Sequence, residues 1–186
     1  MPRARIPRPD DSEYAPYFQQ YISKVPDGDL LDLFESQAAE TRDLLGPLSD
    51  ADARFRYGPD KWSVKEVVGH MADTERIMAY RALSFARGEQ TVLPAFDENA
   101  FVKAARFDSR PFSSLLSELG AVRSATIALF EGLNDDELVR RGRTPSGEYS
   151  VRALAYIIAG HERHHQHILR ERYMTGMRAE AAAGSR

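Results

Sequence analysis

Cysteine is absent from the 186 residues, which rules out disulfides, thiolate-bound zinc and cysteine nucleophiles together. Any metal must therefore sit on nitrogen and oxygen ligands. Net charge is scarce too: 25 basic and 28 acidic residues leave a formal -3, spread along the chain, so no field draws it onto nucleic acid or an anionic membrane. No apolar run approaches the roughly 18 residues of a membrane span, and the basic start "MPRARIPRPDD" has no apolar stretch behind it. These absences lead us to expect a cytoplasmic protein that acts on a small molecule, with no nucleic-acid and no membrane partner. Tryptophan occurs once and histidine five times. Four of those histidines fall inside "HERHHQH", residues 161–167, and the fifth, His70, stands apart.

With 42% hydrophobic residues, the chain can bury one sizeable core. Prolines at 2, 7, 9, 16 and 26 predict an extended arm over 1–28, with one short helical turn around Tyr17 to Ile22, that wraps a surface rather than joining the core. From Asp29, "DLLDLFESQAAETRDLLGPL" places Leu30, Leu33, Phe34, Gln37, Thr41 and Leu45 at helical spacing and stops at Gly46-Pro47. A second helix opens with Ser63 and Glu66 in capping-box register, carries His70 and runs to Gly88. A crossover with a minor helix spans Gln90 to Arg110, and Pro111 begins the third long helix. The connector from Asn134 to Tyr149 has room for a small hairpin or an irregular loop. Ser150 then caps the fourth helix, which holds the histidine cluster. The expected fold is all-α: a four-helix bundle with long crossover connections over 29–175, followed by a disordered tail over 176–186.

Helical phase sorts the histidines. Residues advance about 100° each, so from His161 the apolar Leu154, Ile157, Ile158, Ile168 and Leu169 fall between about -40° and +80°, with His165 in their middle at about +40°. His164 lies near about -60°, at the margin, and His167 near about -120°, toward solvent. His70 shares the inward side of its helix with Val67, Thr74 and Ile77, so a bundle brings a third imidazole to the first two. Burying an uncompensated polar group costs about 1–3 kcal/mol, and a divalent metal removes that cost. Three histidines plus an exchangeable position make an open site. The plainer alternative is a set of core histidines bonded to one another or to backbone.

His161, Glu162 and His165 also spell the H-E-x-x-H of zinc metalloproteases, with Glu162 as general base. That reading lacks a convincing third ligand, because only about twenty residues follow His165. Asp73, about one turn after His70, is placed to orient its imidazole, or else to pair with a nearby arginine. Arg76, Tyr80 and Arg81 follow His70 on nearby faces and are candidates for holding an anionic substrate, against the alternative of inter-helix ion pairs. Trp62 is expected to be structural, packed at the start of its helix.

The segments "YGPDKWSVKEVVGHMADTERIMAYRAL" and "SVRALAYIIAGHERHHQHILRERY" resemble the DinB/YfiT-like superfamily of four-helix bundle proteins, from Pro9 to about Met174. The resemblance implies an up-down-down-up bundle, frequent homodimers, and one divalent metal per chain held by His70, His161 and His165. Nickel or zinc would be the first expectation, with manganese, iron or cobalt as alternatives. It also implies metal-dependent transfer of a low-molecular-weight thiol to a small electrophile, or a thiol-assisted isomerisation. Asp73, Glu162 and His164 are then candidates for supporting or catalytic roles. Two alternatives stay open: a metal-dependent hydrolase using metal-bound water, and a non-catalytic, stress-associated metal-binding dimer.

Overall fold

Helix boundaries follow the capping residues. In the computed structural model, which describes residues 5–184, the Ser63 hydroxyl accepts from the Glu66 amide while the Glu66 carboxylate accepts from the Ser63 amide, starting helix α3 (Val64–Ala86). Asp29 caps α2 (Leu30–Leu45) by accepting from the Leu31 and Asp32 amides, and Ser150 caps α7 (Val151–Ile168) through the Ala153 amide. The remaining long helix, α5, spans Phe112–Glu131; short helices are α1 (Gln19–Ile22), α4 (Glu98–Ala105) and α6 (Asp135–Leu138). The Asn134–Tyr149 connector folds as a hairpin, β1 (Arg141–Thr144) pairing antiparallel with β2 (Gly147–Ser150), with Gly142 opposite Tyr149. Gly142 faces the Phe85 ring so closely that a β-carbon there would lie 1.9 Å from it, which seats the hairpin on the end of α3.

Helix α3 packs on both α5 and α7, and α2 packs on the same two, so α2 and α3 lie across the diagonal. Side-chain pairings set the directions. Gln37 and Thr41 meet Ala159 and Glu162, so α2 and α7 run parallel. Lys65 meets the Arg110 carbonyl just before α5 and Glu75 meets Arg123 farther along, so α3 and α5 run parallel as well. Along α3 and α7, His70 meets His161 while Met78 and Thr74 share a small void with Ile157 and Ile158, so these two are antiparallel. The order is up-down-down-up, an all-α bundle with long crossovers. Among the described residues no helix is long and apolar enough to cross a membrane.

The core is split in two. One apolar cluster joins Leu31, Phe34, Phe85, Phe130, Leu154 and Ile158 at one end of the bundle; the other joins Leu45, Val68, Met71, Leu115, Leu169 and Tyr173 at the opposite end. Between them every long helix contributes buried polar groups: Gln37 and Thr41 from α2, His70, Thr74 and Glu75 from α3, Arg123 and Thr126 from α5, and His161, Glu162, His165 and Gln166 from α7. The bundle thus carries a polar layer at mid-height.

Two terminal expectations change. The arm does join the core, because Ile6, Tyr14, Ile22 and Val25 are buried in the first cluster. It gets there through Gly160, where a β-carbon would stand 2.1 Å from the Tyr21 carbonyl oxygen; only glycine lets α1 lie this close on α7. Arg8 also fastens the arm, donating to the Ile22 and Val25 carbonyls. At the other end, the expected disordered tail is helical as far as it is described: α7 continues through a π-helical segment, Leu169–Met174, into α8 (Thr175–Gly184), an alanine-rich run with high helix propensity. Residues 1–4, 185 and 186 lie outside the described residues.

Buried Glu13 clamps the arm to α7 through a two-pronged ion pair with Arg152. Burial alone would raise its pKa, but hydrogen bonds from Arg152, Ser150 and the Asp10 amide outweigh that and hold it at about 2, below the ordinary 4.5. A depressed carboxyl stabilises the fold fully above its unfolded value and loses that contribution as pH falls through its folded value. The melting-temperature gap between wild type and Glu13→Gln should therefore be largest above pH 4.5 and close between about 4.5 and 2. A gap that does not change over this range would mean that the clamp adds no stability.

Candidate metal centre

The buried imidazoles of His70, His161 and His165 converge where α3 meets α7. His161 Nε2 lies 3.1 Å from His70 Nε2 and 3.1 Å from His165 Nε2. A neutral ring nitrogen carries either one proton or one lone pair. His161 Nε2 can thus make one good hydrogen bond, and the second contact is left without one. Hydrogen bonding cannot satisfy the trio, whereas a cation takes all three lone pairs. The spacing fits as well, since an ion with metal–nitrogen bonds of about 2.0–2.1 Å holds tetrahedral ligand nitrogens about 3.3 Å apart.

Burial pulls the His70 pKa down to about 4 and those of His161 and His165 well below 6.5, with the neighbouring imidazoles adding to the shift. All three rings are neutral near pH 7, the state in which histidine binds metal. Thr74 Oγ1 lies 3.4 Å from His70 Nδ1 and is the group that could steady that ring. Asp73 does not reach it: its carboxylate pairs with Arg76 at 3.6 Å, because three residues turn it about 60° away from His70 whereas Thr74 is turned about 40° to the cavity side. His165 Nδ1 has no hydrogen-bond partner among the described residues.

The trio opens on one side into a cavity of about 390 Å³. Its walls are Tyr17 and Phe18, Tyr21 of α1, Trp62, Phe96 of the crossover and Arg81 of α3. Trp62, at the start of its helix as expected, packs against the site itself, its ring centroid 4.7 Å from that of His70. Half-buried His164 lines the same cavity with its ring against Tyr21, at 5.4 Å between centroids, while His167 is exposed. Of the three candidates for holding a substrate, only Arg81 faces this space. Arg76 pairs with Glu118 at 2.6 Å, and Tyr80, 56% exposed, lines a separate groove between α3 and α5. Phase explains the difference: eleven residues bring Arg81 back to within about 20° of His70, whereas six and ten leave the others about 120° and 80° away.

Glu162 turns the other way, into the polar layer. Its Oε1 accepts from Thr41 at 2.5 Å and its Oε2 pairs with Arg123 at 2.7 Å. Arg123 in turn grips Glu75 with two bonds of 2.8 and 2.7 Å and donates to the Phe34 carbonyl. The general-base role that the H-E-x-x-H spelling suggests is thus closed to Glu162 in this arrangement. Sequence reasoning placed Gln37 and Thr41 on the inward stripe of α2 but missed Arg123 and Gln166 in this layer, and missed Tyr17, Phe18, Tyr21 and Phe96 around the cavity. One signal was available: a glycine, Gly160, in mid-helix beside His161, marking a close backbone approach.

The bundle has counterparts among known proteins. The model of the DinB superfamily matches residues 33–169, taking in all three histidines of the trio. A protein of Oceanobacillus iheyensis, provisionally named a metal-dependent hydrolase, is 24% identical over 137 residues, 73% of this chain and 76% of its own length. The structure of YfiT from Bacillus subtilis, described provisionally as a metal-dependent hydrolase with an unusual four-helix bundle topology, superposes with a TM-score of 0.71 at 18% identity over 94% of each chain. A mycothiol-dependent maleylpyruvate isomerase superposes with a TM-score of 0.64 at 12% identity, over 78% of this chain and 61% of that one. At these identities the two structures speak for the fold. The family match covers most of the chain, and with it the chain belongs to the DinB superfamily.

Proposed function

We propose that His70, His161 and His165 hold one divalent metal, nickel or zinc, and that the protein transfers a low-molecular-weight thiol to a small electrophile in the cavity beside them. When bound, such an ion lowers the pKa of a coordinated thiol or water enough to make a nucleophile near neutral pH. The observation that carries the thiol reading is the orientation of Glu162. With that carboxylate engaged by Thr41 and Arg123, the one acid lining the cavity among the described residues is exposed Glu98 on α4, so the buried carboxylate base of an H-E-x-x-H hydrolase is missing from the open side. A thiol, more acidic than water by several pKa units, depends less on such a base. Tyr17, Phe18, Tyr21 and Trp62 enclose the reacting groups, and His164 is the titratable side chain positioned to pass the released proton outward. The sulfur–carbon bond then forms as the leaving group departs with its electron pair. A homodimer is part of the proposal through the family resemblance alone, and a cytoplasmic setting through the absence of cysteine.

The names of the Oceanobacillus and Bacillus proteins favour a second reading, hydrolysis with water in place of the thiol. Nickel- or zinc-loaded protein incubated with a panel of cellular thiols and a chlorinated nitroarene should consume thiol at least ten times faster than metal-free protein. Metal-dependent ester or amide cleavage without thiol consumption would overturn the transferase reading in favour of hydrolysis.

A further inference from the structure

We propose that Arg81 anchors a carboxylate of the substrate, making the natural substrate a small organic acid with an apolar body. Three cations are buried among the described residues: Lys65, Arg81 and Arg123. Lys65 pairs with Asp50 at 2.7 Å, and Arg123 lies between Glu75 and Glu162. Arg81, 5% exposed, has no carboxylate within ion-pair distance among the described residues. Its Nη2 donates to the Pro94 carbonyl at 2.8 Å, Nη1 meets the weak acceptor Met78 Sδ at 3.7 Å, and the guanidinium lies 5.8 Å from the centre of the Phe96 ring. A guanidinium has five N–H donors, so most of its capacity is unused.

Arg81 lines the cavity beside the histidines. Arg81 stands on the same stripe of α3 as His70, about 16 Å farther along the axis and about 20° off in phase. A ligand can thus lie along this wall with one end at the histidines and the other at the guanidinium. The planar fork suits the two oxygens of a carboxylate. Among the described residues no second cationic side chain lines the cavity, which favours a single negative charge over a phosphate dianion, and the aromatic walls suit an apolar body between the two ends. Glu98, the cavity's one acid, is exposed and forms no ion pair with Arg81.

This inference rests on the metal-centre reading for which end of the substrate reacts, but its test needs no turnover. A series of phenyl-substituted acids with two to six chain carbons, each beside its primary amide, is titrated calorimetrically into metal-loaded protein. At least one acid should bind ten-fold or more tighter than its amide. Arg81→Met, with metal content unchanged, should erase that preference and Arg81→Lys should keep part of it. Equal binding of acid and amide throughout the series overturns the proposal without reliance on any variant. A preference that survives Arg81→Met but vanishes on stripping the metal overturns it too, because the acid would then be bound to the ion. Acid preference without thiol transfer would refute the proposed reaction and leave this anchor standing.

Discussion

His161→Ala is expected to lose divalent metal almost completely while remaining folded, and His167→Ala to keep its full complement. The two residues sit six apart on α7, yet His161 is 8% exposed and its Nε2 stands 3.1 Å from both partner nitrogens, whereas His167 faces solvent. Removing the central imidazole leaves two ligands with no bridge between them. Changing residues that merely support metal ligands weakens affinity about 10- to 100-fold, so loss of the shared ligand should exceed that range. Elemental analysis after gel filtration reads the stoichiometry, and circular dichroism reads the fold. Retention of metal by His161→Ala together with its loss from His167→Ala would show that the helix is turned the wrong way in this account.

Arg123→Leu should have the largest effect on stability. It removes the one cation that Glu75 and Glu162 share inside the polar layer. Breaking a buried ion pair from one side typically destabilises by about 3–5 kcal/mol, a large part of the roughly 5–15 kcal/mol that holds a domain together. The loss should also depend on pH. Burial already pushes the Glu162 carboxyl above its ordinary 4.5 against the pull of Arg123, and without the arginine it would rise further. A carboxyl whose folded pKa is raised contributes its stability below the unfolded value and loses it as pH climbs through the folded one. The gap to wild type in urea unfolding should thus be widest near neutral pH and shrink toward pH 4.5. Replacing Arg123, Glu75 and Glu162 together by leucine should recover much of the loss, because no unpaired charge is then buried. A pH-independent loss under about 1 kcal/mol would mean that the carboxylates find other partners or water.

Much of the centre was readable from spacing, because a helix converts sequence position into direction. The inward pair His161 and His165, marginal His164 and outward His167 all follow from about 100° per residue, as does the shared face of His70 and Thr74. The same rule, applied with more care to α3, separates Arg81 from Arg76 and Tyr80. What spacing does not encode is which non-neighbouring elements meet. The docking of Tyr17, Phe18 and Tyr21 against the histidines depends on the arm crossing Gly160, well over a hundred residues downstream in sequence. The Arg123 layer likewise needs all four long helices in place before its pairs exist. For Asp73 the sequence left two partners open, the His70 ring and a nearby arginine, and the phase of α3 decides for Arg76.

The separation of the trio along the chain has a consequence beyond chemistry. His70 and His161 are 91 positions apart, in a protein with no cysteine to tie its halves together. An ion held by both would act as a removable staple, closing a loop of a size for which a permanent cross-link is credited with roughly 4–5 kcal/mol of chain entropy. The supply of metal would then govern how long the folded molecule persists as well as what it can catalyse.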